Sequence, residues 1–158
     1  MGGMRISAKA DYAIRVLLEL AADTSRPITC ESVASVQDIP PRFIKAVIGD
    51  LRRAGLVRSQ RGCEGGYWLA REAGDISVRE AVVAVDGELL SIRGETLAGL
   101  SYHGNAEFLS PFWASLEAQL DSVLGTTTIA HLLAGEGTSR DRPMASAAAA
   151  HQERRAER

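Results

Sequence analysis

The sequence predicts a mainly α-helical chain with one small β-hairpin, and three observations lead there. Apolar residues recur at spacings of three and four across residues 7–23, 41–55, 76–85 and 111–124, the period of a one-sided helix. A single glycine-rich stretch, RSQRGCEGGYWLA at 58–70, lies between two short β-prone pieces, VRS and YWL. The order of these pieces is two helices joined by a tight turn, the second opening on outward basic residues, and then the hairpin. That is the order of a winged helix-turn-helix domain, here followed by a long C-terminal helix expected to make a dimer.

The first helix is predicted over residues 7–23, where Ala10, Ala13, Ile14, Leu17, Leu18 and Ala21 draw one stripe and Ser7 offers an N-cap oxygen. After the turn Ser25-Arg26-Pro27, Thr29 caps a shorter helix to about Gln37, with Glu31 near its positive end. A third helix opens at Pro41, whose missing N–H is no loss in a first turn, and stops at Gly55. Ile44, Val47, Ile48 and Leu51 form its buried stripe, which leaves Arg42, Lys45, Ala46 and Gly49 facing out and Phe43 at the boundary. The hairpin comes next, its glycines supplying the positive φ angles of a tight connection.

Residues 76–85 give a fourth helix, begun at Ser77 and stopped by Asp86-Gly87. Residues 87–105 carry Gly87, Gly94, Gly99 and Gly104 with weak periodicity and read as a long loop, a class that is usually functional or mobile. Pro111 opens another helix with Phe112, Leu116, Leu120, Val123 and Leu124 on one face, and Thr126 or Thr127 caps a last short helix through Leu133. That apolar face has little left in a small head to pack against, so a partner chain is its expected cover. Residues 135–158 are rich in Ala, Ser and Arg and are expected to be disordered, since they have almost nothing to bury against their ordering entropy. The resulting partition is a winged helix-turn-helix DNA-binding domain at 4–87, a sensory loop at 88–107, dimerisation helices at 108–134 and a tail at 135–158.

Composition sets outer limits. A chain of 158 residues, 46% of them hydrophobic, suits one domain with extensions and excludes disorder throughout. The net charge of −2 does not attract a polyanion, so any basic surface must be local. No apolar run approaches the roughly 18 to 20 residues of a membrane span and the N-terminus lacks a signal-peptide core, so the expected location is cytoplasmic, with no membrane partner. Cys30 and Cys63 are far apart with no CxxC spacing, which argues against a disulfide framework or a tetrahedral zinc site. The three histidines, His103, His131 and His151, accompany no phosphate loop, nucleophile elbow or paired metal motif, so no catalytic residue is expected.

The local charge is where chemistry shows. Between residues 41 and 61 stand six basic residues, Arg42, Lys45, Arg52, Arg53, Arg58 and Arg61, against the single acid Asp50. Phosphates in duplex DNA lie close together, and each cation that displaces a condensed counterion adds affinity, so a concentrated patch matters more than the total. The hairpin then reads as a wing whose arginines reach phosphates or the minor groove, and whose glycines let the backbone approach the strand. Glu64 opposes that contact unless it turns away or pairs with Arg61.

The blocks MRISAKADYAIRVLLELA, IPPRFIKAVIGDLRRAGLVRSQRGCEGGYWLA and ISVREAVVAVDG together resemble the Rrf2 (Rrf-two) family of bacterial winged-helix transcriptional regulators, which includes the IscR, NsrR and CymR types. The likeness runs motif by motif over residues 4–87 and by layout beyond, and its most specific element is the wing's glycine pair followed by tyrosine. It implies a homodimeric regulator, read as a repressor, on a pseudo-palindromic operator of double-stranded DNA, with the long C-terminal helix making the dimer. It places base reading on Arg42, Phe43 and Lys45, with Arg61 and Gly62 in the wing. Arg42 and Lys45 can donate to guanine O6 and N7. Arg52, Arg53 and Arg58 fall to phosphate contact or to the helix C-terminal charge, and Ser7 and Lys9 to backbone contact from the first helix.

One departure bears on cofactors. Members of the IscR and NsrR types carry three cysteines in the loop before the dimer helix to hold an iron-sulfur cluster, and the matching loop here, GELLSIRGETLAGLSYHGNAEF, has none. His103 in that loop and Asp11, where some members supply a carboxylate, do not replace thiolates, so neither a cluster nor another cofactor or metal is expected. Asp11 is expected to pair with a base on its own helix. Cys30 reads as a small buried hydrophobe. Cys63 at the wing tip offers an alternative, a redox or nitric-oxide responsive switch, because oxidation there would place bulk or charge against DNA. A further alternative is a winged helix used as a protein-interaction adaptor. A small effector or a partner protein, if either is used, is expected at residues 88–107.

Overall fold

The computed structural model describes residues 6–63 and 65–136. They form α1 (Ala8–Ala22), α2 (Cys30–Gln37), α3 (Pro41–Arg53), the strands β1 (Val57–Gln60) and β2 (Gly66–Leu69), α4 (Val78–Asp86), the short strands β3 (Ser91–Ile92) and β4 (Glu95–Thr96), then α5 (Leu109–Thr126) and α6 (Ile129–Ala134). The starts of α1, α2 and α4 follow the polar caps of the sequence. The Ser7 oxygen accepts from the Ala10 N–H at 3.0 Å, Thr29 from Ser32 at 3.1 Å, and Ser77 forms a reciprocal capping box with Glu80.

The core gathers around α1, which packs against α3, α4 and α6. All four predicted residues of the α3 stripe are buried, Ile44, Val47, Ile48 and Leu51. On α1 the prediction needs correcting. Val16 and Leu20 are fully buried although they lay off the predicted stripe, while Ile14, Leu18 and Ala21 are only half-buried. A helix packed against several others buries more than one stripe, and each Leu or Ile so buried contributes about 1.5 to 3 kcal/mol.

β1 and β2 pair antiparallel, with Val57 opposite Leu69 and Gln60 opposite Gly66. A third, one-residue strand unforeseen in the sequence completes this sheet. The Ile28 N–H donates to the Tyr67 carbonyl at 3.0 Å and the Tyr67 N–H to the Ile28 carbonyl at 2.8 Å, which ties the hairpin to the residue leading into α2. Glycine is required at 66 for this approach, since a Cβ there would stand 2.8 Å from the Ile28 oxygen.

Beyond α4 the structure differs from the predicted bare loop. Residues 87–105 contain the β3–β4 ribbon, turned by Arg93 and Gly94 at φ 56° and 77°, and a satellite core of Leu90, Leu97 and Leu100. α5 starts two residues before Pro111. Its predicted single face divides: Leu120 and Leu124 pack inward with Trp113, whereas Phe112 and Val123 are 57% and 62% exposed. The last helix is capped by Thr128 rather than by Thr126 or Thr127. α6, assigned from the sequence to the dimerisation segment 108–134, returns to the head, where Ile129 is fully buried in the main core and Thr128 bridges to Ser77. The tail predicted at 135–158 lies, apart from Gly135 and Glu136, outside the described residues, as does Glu64.

Candidate nucleic-acid interface

The turn between α2 and α3 is set by three residues. Asp38 ends α2 in the left-handed region at φ 53°, Ile39 donates its N–H to the Ala34 carbonyl at 3.0 Å and buries its side chain, and Pro40-Pro41 starts α3 with φ already helical. No side chain caps α3, so its first turn keeps the positive end of the helix dipole uncompensated. Arg42 and Lys45 stand exposed on that turn, and Ala46 and Gly49 continue the same outward face.

Arg42 does not hang free. Its guanidinium carbon lies 4.6 Å from the centre of the Phe43 ring, and that half-buried ring lies 5.9 Å from the ring of Tyr12 on α1. The wing tip holds Arg61, Gly62 at φ 111°, and Cys63, all exposed. Lys9 is exposed on α1.

Three of the predicted contact positions also make contacts within the chain. Arg53 is held by Asp50 one turn back on α3. The Ser7 hydroxyl caps α1 and donates to Asp86 Oδ1 at 2.6 Å, so both its functions are taken inside the fold. Arg58 lies across the ladder from Trp68, 5.2 Å from the ring centre, and strand alternation puts it on the face opposite Ser59 and Tyr67.

Cations without a carboxylate partner are frequent on α3 and the wing, although Lys9 on α1 and Arg93 on the β3–β4 turn are likewise unpaired among the described residues and Arg53 on α3 is paired. Arg15, Arg26, Arg71 and Arg79 each pair with a carboxylate, of Asp11, Asp23, Glu80 and Asp121, at 2.5 to 3.0 Å. Among the described residues, Arg42, Lys45, Arg52, Arg58 and Arg61 have no such partner. Cations left uncompensated over one helix and one hairpin can exchange their counterions for phosphates, which paired ones do at a cost.

The cysteines divide as the sequence led us to expect. Cys30 is buried and Cys63 exposed. Burial pushes the Cys30 thiol up, against a hydrogen bond with the Tyr67 side chain that acts the other way, and burial likewise raises the Tyr67 hydroxyl. Asp11 takes the expected partner on its helix, Arg15, and His103 is exposed. Sequence reasoning missed Tyr12 and Ile28. Tyr12 lies on the flank of the α1 stripe and carries no signal beyond being an aromatic among alanines; Ile28 sits after Pro27 in what reads as a plain turn.

A helix-turn-helix followed by a wing, both carrying cations with no carboxylate partner among the described residues, is the architecture of a winged-helix DNA-binding regulator. Residues 6–135 match the family described as "Rrf2: Iron-dependent Transcriptional regulator", and the chain belongs to that family. The putative HTH-type transcriptional regulator Rv1287 of Mycobacterium tuberculosis is 41% identical over 133 residues, covering 84% of this chain and 83% of the relative. The HTH-type transcriptional regulator IscR of Cronobacter sakazakii is 30% identical over 131 residues, with 82% and 80% covered. Among solved structures, CymR, the global cysteine regulator of B. subtilis, superposes with a TM-score of 0.69 at 25% identity over 84% of this chain and 98% of that one. IscR of T. potens does so at 0.68 and 28% identity, over 91% and 94%. The chain is therefore a DNA-binding transcriptional regulator and not an enzyme. Among the described residues no helix is long and apolar enough to cross a membrane.

Proposed function

We propose that this regulator is a homodimeric repressor that reads a pseudo-palindromic operator with the first turn of α3 and with the wing, in the cytoplasm and without an iron-sulfur cluster. The observation that carries the reading is the set of cations on α3 and the wing with no carboxylate partner among the described residues. In it Arg42 and Lys45 donate to base edges in the major groove, with Phe43 alongside, and Arg61 and Gly62 enter the minor groove. Arg52, Arg58 and Lys9 meet phosphates. A second copy supplies the cover for Phe108, just before α5, and for Phe112 and Val123 on it, which are 57% to 75% exposed.

A cluster does not fit the donors present. Residues 88–107 contain no cysteine, the chain's two thiols sit at the start of α2 and on the wing, and no three His, Cys, Asp or Glu side chains among the described residues come together to hold a metal. Signal input falls instead on the ribbon segment 88–107, where it meets α5, as a site for a small effector or partner protein. The exposure of Cys63 favours one second reading, a thiol switch that blocks the wing.

Selection of bound fragments from bacterial genomic DNA tests the proposal. The expected enrichment is an inverted repeat whose half-sites lie about one helical turn, or a multiple of it, apart. Fragments with no shared motif would overturn it, and a motif recovered only with reduced protein would support the thiol switch.

A further inference from the structure

The exposed ends of most long cationic side chains sample many rotamers, and fixing one costs entropy when a base is read. Arg42 is placed differently. Four side chains from α3 and α1 form a row of successive contacts: the Arg42 guanidinium 4.6 Å over Phe43, the Phe43 ring 5.9 Å from Tyr12 and tilted by 39°, and the Arg15 guanidinium 5.6 Å over Tyr12. The far end of the row is anchored. Arg15 pairs with Asp11 at 2.5 Å and donates to the Gln37 carbonyl, at the end of α2, at 3.0 Å. Each cation faces the electron-rich side of a ring, and the two rings support each other.

From this row we infer that Tyr12, on a helix outside the helix-turn-helix pair, is a positioning residue that sets the specificity of Arg42 for guanine. It holds the Phe43 ring at the angle on which the guanidinium rests. A guanidinium lying on a ring keeps its in-plane N–H groups free, which are the groups that donate to guanine O6 and N7. Part of the ordering cost of base reading is thus met before DNA arrives. The inference rests on the proposed base-reading role of Arg42.

The test uses the full chain and its selected operator, together with a variant operator in which the guanine under Arg42 is replaced by adenine. The ratio of the two dissociation constants is the guanine preference. Tyr12→Leu should lower that preference about threefold, the scale of one exposed cation–ring contact, while Tyr12→Phe keeps it. In an Arg42→Ala background, Tyr12→Leu should cost nothing further. If Tyr12→Leu unfolds the head, Tyr12→Met, which keeps the bulk without the ring, takes its place.

A preference unchanged on losing the ring overturns the inference. So does a loss that adds fully to that of Arg42→Ala, or a Tyr12→Phe variant as poor as Tyr12→Leu. Should Arg42→Ala itself leave the guanine preference intact, the failure belongs to the reading of α3 and not to Tyr12. A general loss of stability would weaken both operators alike and leave the ratio where it was.

Discussion

Arg52 and Arg53 are neighbours at the end of α3, and the structure predicts opposite contributions to DNA binding. Arg53 is neutralised by Asp50, while Arg52 has no carboxylate partner among the described residues. With Lys9, Arg52 and Arg58 as the phosphate contacts of each of two copies, about six phosphates are met, and the logarithm of the binding constant should fall with the logarithm of salt with a slope of about −5. Arg52→Ala removes a contact from each copy, so the slope should become shallower by about 2. The pair Asp50→Asn with Arg53→Gln removes a neutral unit and should leave the slope within about 0.5 of the original. Fluorescence anisotropy of a labelled operator from low to moderate salt gives all three slopes. An unchanged slope in Arg52→Ala, or an equal change on removing the Asp50–Arg53 pair, would refute the phosphate contact at Arg52.

Ile129→Ala should destabilise the chain by about 2 to 5 kcal/mol in urea unfolding, because Ile129 is fully buried beside α1; a loss below about 0.5 kcal/mol would place α6 outside the head core. Glu80 should shape the acid limb of stability. Burial by itself would raise its carboxyl, but hydrogen bonds from Arg71 and Ser77 outweigh that and hold it below the ordinary value of 4.5. The folded chain therefore favours the ionised form, so the contribution is complete above about pH 4.5 and fades as pH falls through the lowered value, and Glu80→Gln should flatten the decline of Tm between about pH 5 and pH 3. Phe112→Ser should weaken self-association at least about tenfold in sedimentation while changing unfolding by less than about 0.5 kcal/mol, since its ring is exposed; undiminished association would remove α5's outer face from the dimer.

Much of the head was legible because its signals are local. The α3 stripe, the Ser7, Thr29 and Ser77 caps and the glycine-rich wing each depend on residues within a few positions of one another. What stayed hidden depends on distant partners. The sequence offered Thr126 or Thr127 as the cap of the last helix, whereas Thr128 is fixed there by its bridge to Ser77 and by the burial of Ile129. Leu90, Leu97 and Leu100 show no period because turns, not a helix, bring them together. The one-residue strand at Ile28 gains meaning only from Tyr67, thirty-nine positions on.

The candidate site was legible in its cations and less so in their state. Charge counting treated Arg52, Arg53 and Arg58 alike, whereas the fold gives Arg53 a carboxylate, lays Arg58 on Trp68 and leaves Arg52 exposed. Ser7 shows the same limit: a hydroxyl that caps a helix in the sequence was also free to meet a phosphate, until Asp86 from the far end of α4 claimed its proton.

Sequence-specific binding requires the outward turn of α3 to distinguish one DNA sequence from another. The most direct measurement is the affinity ratio between the selected operator and a scrambled duplex at fixed salt, for the unaltered chain and for Arg42→Ala with Lys45→Ala. If those side chains donate to base edges, the ratio should collapse by at least about 2 kcal/mol, some thirtyfold, while the scrambled duplex still binds through the remaining cations. A ratio that survives both substitutions would contradict the account.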